Sequence, residues 1–280
     1  MPAIRSILLP TDFSMEADAA FAHGLRLAVA LGAQLDIFHA EPKNDQADWR
    51  WAPSVAETLV RWGHLRRGAT EADVEALGIR ARRSQIVGQA ADAAVLSEMS
   101  ESHADLIVMA SHGRSGIWRW IQPSVIAPVL RHAPVPVLVI PSGSDGFVDA
   151  TTGEAGISRV LAPIDMRPHP APGFDAALAL ANALPGPNRA FATLHVGAGR
   201  PETDLLLVPP GCELFHWFSN GDPVGEIART AAEWQADLVV VVSEGRQNYL
   251  DTLRGSTVER LLDCVKRPVL VVPAEWTGKE

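Results

Sequence analysis

The stretch ILLPTD at residues 7–12 returns later in the chain as VLAPID at residues 160–165. Each stretch is a short apolar run that closes on proline, one variable residue and aspartate. A short apolar run that is stopped by a turn signal is typical of a strand buried on both faces of a sheet. The same strand is therefore predicted near the start of each half of the chain.

Three further stretches recur downstream in the same order, so the chain is a tandem repeat of two copies. A length of 280 residues also suits two domains of ordinary size. We assign domain one (copy one) to residues 1–145 and domain two (copy two) to 156–276, with 142–156 as the linker. The recurring stretches are FHA at 38–40 with LHV at 194–196, ADLIV at 104–108 with ADLVV at 236–240, and PVLVIP at 136–141 with PVLVVP at 268–273.

Copy two is shorter than copy one in the region before its ADLVV stretch. It has the Pro- and Gly-rich stretch 197–211 where copy one has 47–78, in which we expect a helix with charged faces. The arginine pairs at 66–67 and 82–83 are expected on solvated faces of copy one.

Strand patterns alternate with helical patterns within each copy. This alternation predicts an α/β fold, a doubly wound parallel sheet with helices on both faces. The ligand crevice of such a sheet lies beyond the carboxyl ends of its strands. In copy one the predicted strands are 4–9, 35–39, 81–87, 106–109 and 137–140, and the predicted helices are 17–31, with Ser14 as N-cap, 90–100 and 123–131.

The composition argues against several classes of protein. A net charge of −9 without a basic stripe disfavours nucleic-acid and anionic-membrane surfaces, and no apolar run is long enough to cross a bilayer. Cys212 and Cys264 form neither a metal-ligand spacing nor a disulfide framework, and the N-terminus lacks a signal-peptide core. His169 and His216 have no partner at metal-site spacing, so no metal site is predicted. We expect a cytoplasmic protein.

Three features together resemble the universal stress protein family. They are the Pro-x-Asp strand end in each copy, ADLIVMASHGRSG at 104–116 and the closing RHAPVPVLVI at 131–140. The resemblance covers nearly the whole chain and implies a five-stranded parallel sheet of the adenine-nucleotide alpha-hydrolase-like type in each copy. Because domains of this family pair through their last strands, a tandem chain is expected to form that pair internally, as a pseudo-dimer.

ATP-binding members of the family carry a glycine pattern, in which Gly, two residues, Gly and nine residues precede Gly-Ser or Gly-Thr. Glycine lets backbone N–H groups come close to phosphates. Copy two has Gly245, Gly255 and Ser256 in register, with Val242 at the first glycine position. The resemblance implies that Gly245, Gly255 and Ser256 face the phosphates and that Asp165 faces the adenosine.

Copy one departs further from the same pattern. It keeps Gly113 and Ser124 but has Ala110 and Pro123 at the other two positions, and proline has no N–H to offer a phosphate. By the same resemblance Asp12 faces the adenosine here. Copy one is therefore the weaker candidate for nucleotide binding.

Two carboxylates affect the stronger site. Glu244 and Asp251 lie in the loop of copy two, and carboxylates near a triphosphate are unfavourable unless a divalent cation lies between them. The expected cofactor is therefore ATP or ADP, either weakly bound or accompanied by Mg²⁺.

Simpler interpretations of several residues stay open. Asp12 and Asp165 could cap the following helices, and His39 and His195, at equivalent strand ends, are expected to pack or hydrogen-bond. His112 either touches a ligand or is a solvated loop residue. The tryptophans either pack in the core and at a dimer-type interface or form an apolar patch for a partner or small ligand; they include Trp49, Trp51, Trp62, Trp118 and Trp120.

Three functions fit these residues. The first is a stress-response protein that binds an adenine nucleotide in copy two and acts as a regulator or survival factor. The second is a scaffold that acts through an unknown protein partner, which Pro123 and Val242 favour. The third is a weak Mg²⁺-dependent ATPase, since neither a Walker lysine nor a Ser-His-Asp arrangement supports faster chemistry and no catalytic residue is predicted. A further homodimer of the whole chain is also left open.

Overall fold

The structure, a computed structural model, describes residues 4–41, 49–111, 125–144, 146–186, 189–201, 203, 206, 208–244 and 252–278. For residues 252–257 it describes the backbone alone.

Copy one begins with a buried strand and a capped helix, as predicted. The Ser14 hydroxyl accepts from the Ala17 N–H, and Gly32 ends the helix in the left-handed conformation. The elements are β1 Ser6–Pro10, α1 Met15–Leu31, β2 Gln34–Glu41, a 3-10 helix Trp49–Trp51, α2 Val55–Arg61, α3 Glu71–Ala76, β3 Ala81–Val87, α4 Ala91–Glu101, β4 Leu106–Ala110, α5 Ile126–His132 and β5 Val137–Ile140.

Copy two repeats this order without counterparts of the 3-10 helix, α2 and α3 in the residues that the structure describes. Its elements are β6 Arg159–Pro163, α6 Ala171–Ala183, β7 Ala190–Val196, β8 Glu213–Ser219, α7 Pro223–Glu233, β9 Leu238–Ser243, α8 Thr252–Cys264 and β10 Val269–Pro273. The shortened connection between β7 and β8 agrees with the gap in the repeat.

The strands of both copies form one sheet in the order β3-β2-β1-β4-β5-β10-β9-β6-β7-β8. The paired strands within each copy are parallel, and β5 and β10 join the copies as an antiparallel pair. Leu138 lies opposite Leu270 at this seam, and both side chains are fully buried. The α/β fold, the tandem sheets and the internal pseudo-dimer are therefore confirmed.

Helices cover both faces of the sheet. One core joins α1, α2 and α6 to the sheet, and the other joins α4, α5, α7 and α8 to the opposite face. Burial on both faces explains why the central strands read as continuous apolar runs rather than as alternating ones.

One expectation about copy one was wrong, and another left out a contact. The segment 47–78 holds two short α-helices and a 3-10 helix among its described residues, rather than one helix with charged faces. The arginine pairs at 66–67 and 82–83 are exposed, as expected, but the Arg82 guanidinium also bridges two buried carboxylates. Asp36 is 2.8 Å from Arg82 Nε, and Glu98 is 2.6 Å from a terminal guanidinium nitrogen.

The linker is ordered where it crosses α1. The Phe147 N–H donates to Nε2 of the buried His23, while Nδ1 of that ring donates to the Ala19 carbonyl oxygen. Gly146 has φ +62°, and a Cβ there would lie 2.5 Å from the His23 ring. These contacts need the neutral ring with its proton on Nδ1.

A second set of contacts holds the linker further along. Arg26 Nε donates to the Gly153 carbonyl oxygen, and Trp62 Nε1 donates to the Ala150 carbonyl oxygen. The Trp62 ring also packs against Gly153, where a Cβ would lie 2.5 Å away. Trp62 therefore fits the core-packing interpretation, whereas Trp51 is 73% exposed.

We expect His23 to make the stability of the protein depend on pH. Burial lowers the pKa of His23 from 6.5 to about 4. Because the unfolded chain takes up this proton at higher pH than the folded chain, the free energy of unfolding should fall between pH 6.5 and about pH 4. The loss should reach about 3 kcal/mol. Urea denaturation at several pH values measures this loss.

His23→Gln is the control for this prediction, because glutamine offers Phe147 an acceptor and does not titrate. The wild type should lose about 3 kcal/mol more than the variant over the pH range. Equal losses would show that another group is responsible.

Candidate functional site

The two crevices lie where the strand order reverses, at the carboxyl ends of β1 and β4 in copy one and of β6 and β9 in copy two. The chain leaves the first strand of each copy through the same hydrogen bond. The Thr11 N–H donates to the Phe38 carbonyl oxygen at 2.8 Å, and the Ile164 N–H donates to that of Leu194 at 2.9 Å. The two predicted aspartates follow directly, so each reaches its crevice.

A buried histidine braces each of these strand ends. His39 Nδ1 lies 2.8 Å from the Thr11 carbonyl oxygen, and His195 Nδ1 lies 3.2 Å from that of Ile164. Both rings are buried. A carbonyl oxygen only accepts, so Nδ1 carries the proton in each ring. The predicted hydrogen-bonding role of His39 and His195 is confirmed.

Asp12 orders the turn into α1. Its Oδ1 accepts from the Ser14 N–H at 3.1 Å and from the Ser14 hydroxyl at 2.6 Å. Since Ser14 is the N-cap of α1, Asp12 acts on the cap residue and is not itself the cap. Phe13, between them, has φ +60°, a left-handed backbone conformation that aromatic residues seldom adopt.

Aromatic rings fill the space beyond β1 and β2 in copy one. The Phe13 ring lies 4.4 Å from the His39 ring and 5.2 Å from the Trp49 ring, centroid to centroid. Trp49 Nε1 donates to the Gln85 side chain, and the Arg83 guanidinium lies over the Trp49 ring at 5.6 Å. We call Phe13, His39 and Trp49 the aromatic cap of copy one.

Copy two has a different residue at the position of Phe13. Met166 follows Asp165 and is 60% exposed. The Asp165 side chain is 65% exposed, its Oδ1 accepts from the Met166 N–H, and the same oxygen lies 3.9 Å from His195 Nδ1. Because α6 begins at Ala171 after Pro170, Asp165 does not cap a helix. The helix-cap interpretation is therefore wrong for both aspartates.

The rim of the copy-two crevice continues past β7. The His195 ring meets the Phe218 ring edge to face at 6.4 Å, and the Arg200 guanidinium lies over Phe218 at 5.5 Å. Gly197 and Gly199 have φ values of +132° and +106°, which only glycine adopts readily. The chain therefore passes this rim without a Cβ at either position.

Much of the predicted phosphate loop lies outside the described residues. This holds for the loop residues of both copies, namely Gly113, Ser124, His112, Pro123, Trp118, Trp120, Gly245 and Asp251. Gly255 and Ser256 lie on the backbone of α8, within its first five residues. Their role in binding phosphate stays a prediction.

Val242, at the first glycine position of the pattern, packs against α6. A Cβ at Gly173 would lie 2.8 Å from a methyl group of Val242, so the close approach depends on glycine at 173. The substitution that weakens the glycine pattern thus has a structural partner within copy two.

A cavity of about 760 Å³ lies beside Trp49 of the aromatic cap, between α1, the 3-10 helix, α2 and the linker. Its lining includes Phe21, Trp51, Arg61 and Thr151.

Among the described residues no group of three or more His, Cys, Asp or Glu side chains could hold a metal ion. No helix in the described part of the chain is long and apolar enough to cross a membrane.

Sequence reasoning missed the aromatic cap. Trp49 lies in the insertion of copy one and Phe13 in the turn after β1, and nothing in their spacing indicates that they meet. The usable signal is the comparison of copies, because Met166 stands where copy one has Phe13 and the insertion is absent.

Known proteins share this arrangement. Residues 3–141 and 218–273 match the family model described as "Universal stress protein family". No curated protein matches the chain. Among solved structures, a universal stress protein from Archaeoglobus fulgidus DSM 4304 is 20% identical with a TM-score of 0.67, covering 96% of this chain and 96% of that chain.

Two other solved structures are similar at lower scores. A protein from Pseudomonas aeruginosa UCBPP-PA14 is 17% identical with a TM-score of 0.61, covering 97% of this chain and 94% of that chain. A universal stress protein solved in complex with cAMP is 24% identical with a TM-score of 0.33, covering 49% of this chain and 97% of that chain. The first two likenesses support the fold, and the family match extends over both copies. The chain belongs to the universal stress protein family.

Proposed function

We propose that the protein binds an adenine nucleotide in copy two and acts as a nucleotide-dependent regulator of a cytoplasmic stress response rather than as a turnover enzyme. The observation that carries this proposal is the difference between the two crevices. Both aspartates are exposed, but in copy one the Phe13 and Trp49 rings pack beside His39, whereas in copy two Met166, which replaces Phe13, is itself exposed.

The chemistry of the copy-two rim suits a nucleoside. An exposed carboxylate such as that of Asp165 accepts hydrogen bonds from ribose hydroxyls or an adenine amine. Met166 offers a flexible apolar contact to a base. Arg200, on the same rim, supplies positive charge, which favours an anionic ligand.

The phosphates belong at the start of α8 in this proposal. A helix N-terminus carries unpaired N–H groups and a positive dipole end, and both favour an anion. Gly255 and Ser256 lie on α8 close to that end, which supports their assignment to the phosphates. Mg²⁺ would then screen the triphosphate from Glu244 and Asp251.

The test is nucleotide content and affinity. Native mass spectrometry of protein purified without added nucleotide is expected to show one ATP or ADP per chain. Asp165→Ala should weaken Mg·ATP binding by a factor of about 10 to 100 in calorimetry, because hydrogen bonds to a charged group are worth about 1.5–3 kcal/mol. Gly255→Trp should abolish binding, since the side chain would take the space of the phosphates.

Asp12→Ala is the matched control, since Asp12 follows β1 as Asp165 follows β6. It should leave Mg·ATP affinity unchanged. Two nucleotides per chain, or an equal loss in both alanine variants, would overturn the assignment to copy two. No bound nucleotide and no binding of millimolar Mg·ATP would overturn nucleotide binding itself.

The scaffold remains a second candidate, because one observation favours it. Val242 packs on Gly173 at the position where ATP-binding members have glycine. If this packing replaced nucleotide binding, Val242→Gly should create Mg·ATP affinity that the wild type lacks. Affinity already present in the wild type would remove this alternative.

A further inference from the structure

The two ends of the sheet differ in how their edges are protected. Strand β3 forms one edge and carries Arg82 and Arg83, and charged residues on an edge strand oppose pairing with another strand. Strand β8 forms the other edge with the sequence ELFHWFS, which has no Lys, Arg, Pro or Gly. Phe215 and Phe218 on β8 are 39% and 50% exposed. Among the residues that the structure describes, Glu213 is the charged residue of β8, and this edge is therefore less protected against strand addition than β3.

The backbone of β8 offers hydrogen bonds at alternate residues. The Glu213 N–H donates to the Arg189 carbonyl oxygen and the Ser219 carbonyl oxygen accepts from the Gly197 N–H, so odd-numbered residues bond toward β7. The N–H and C=O groups of the even-numbered residues Leu214, His216 and Phe218 consequently point to the open edge. No backbone hydrogen bond outside helices and strands involves these three in the described part of the chain.

The sequence of β8 is symmetric about His216. Aromatic Phe215 and Trp217 flank this residue, apolar Leu214 and Phe218 come next, and polar Glu213 and Ser219 close the strand. An antiparallel copy centred on His216 would place Leu214 opposite Phe218 and Phe215 opposite Trp217. Leu214 with Phe218, and His216 with its own copy, would then exchange N–H and C=O bonds, while Phe215 and Trp217 would meet across the strands through their side chains.

The aromatic face is already held in place for such contacts. The Phe215 ring is stacked on the Trp217 ring at 6.0 Å, and Trp217 packs edge to face on Trp234, the C-cap of α7, at 5.0 Å. Ordered rings lose less side-chain entropy when a partner covers them.

We propose that two copies of the chain associate through β8, antiparallel about a twofold axis at His216, to form a sheet that is continuous across both chains. A second copy is the occupant that this edge fits, because a twofold interface must present the same surface on both sides. The symmetric order of polar, apolar and aromatic residues meets that requirement, whereas a different protein's strand would not need it. This inference does not depend on nucleotide binding.

Light scattering after size exclusion, without nucleotide, tests the association. The wild type is expected at twice the mass of the 30.0 kDa chain. Phe218→Lys and Phe215→Lys should each give the monomer mass with an unchanged circular dichroism spectrum. Val87→Lys is the matched control, because Val87 is 56% exposed on the opposite edge β3, and it should stay dimeric. A monomeric wild type, or a dimer that both β8 variants retain, would overturn the proposal.

Cysteine crosslinking tests the register in a Cys212→Ser, Cys264→Ser background. Residues at a hydrogen-bonded antiparallel pair have Cα atoms about 5.5 Å apart, within the range of a disulfide. His216→Cys should therefore oxidise to a covalent dimer. Phe218→Cys should not form a covalent dimer, because residue 218 of one copy lies opposite Leu214 of the other. Equal crosslinking of the two variants, or none at His216→Cys, would overturn the twofold at His216.

Discussion

Leu138→Asp is expected to lower the free energy of unfolding by at least about 5 kcal/mol. Leu138 lies in β5 opposite Leu270 of β10, and neither side chain is exposed. The change removes a buried leucine and places a carboxyl group without a partner in the apolar seam between the copies. Because domains are stable by about 5–15 kcal/mol in total, the variant should be largely unfolded or close to it. Urea denaturation followed by circular dichroism measures the loss.

Leu138→Met is the matched control, since it conserves volume and polarity and should cost less than about 1.5 kcal/mol. If Leu138→Asp also lowered the free energy of unfolding by less than about 1.5 kcal/mol, β5 and β10 would not form the buried seam. A two-step transition would show instead that one copy stays folded after the seam has opened.

Arg82→Ala is expected to destabilise the protein by about 3–5 kcal/mol. The Arg82 guanidinium lies between Asp36 and Glu98, which are 0% and 4% exposed. Its removal leaves two buried carboxylates with fewer donors, although Gln34 still donates to Asp36 and Ser84 to Glu98. Thermal and urea unfolding at neutral pH both measure the effect.

Arg83→Ala provides the comparison for this prediction. Arg83 is the next residue of β3, is exposed, and contacts the Trp49 ring rather than a buried carboxylate. Its loss should cost less than about 1 kcal/mol. Similar costs for the two arginines would show that the buried carboxylates do not depend on Arg82.

The repeat made much of the fold predictable. Once ILLPTD and VLAPID were recognised as equivalent strands, the later stretches gave the remaining apolar strands of both copies in order. Strand β3 at 81–87 and strand β5 at 137–140 have the predicted bounds, whereas β1 and β2 differ by one to two residues at their ends. The predicted helix starts differ from the observed ones by one to three residues, although the Ser14 N-cap was predicted correctly.

The candidate site was predictable only in part. The position of Asp12 and Asp165 at the carboxyl ends of the first strands follows from the strand pattern and the topology of parallel sheets. Whether each crevice is open does not follow, because Phe13 and Trp49 meet through a turn and an insertion that are separate in sequence.

The sequence by itself determined the tandem repeat, the α/β class and the buried strands, because apolar periodicity and repeated stretches are local properties of the chain. Only the tertiary structure decided that Arg82 bridges buried carboxylates, that His23 holds the linker and that β8 is left as an open edge. Each of these features joins groups far apart in sequence. Their energies depend on burial and on the partner at hydrogen-bond distance, and a side chain acquires both only when the chain is folded.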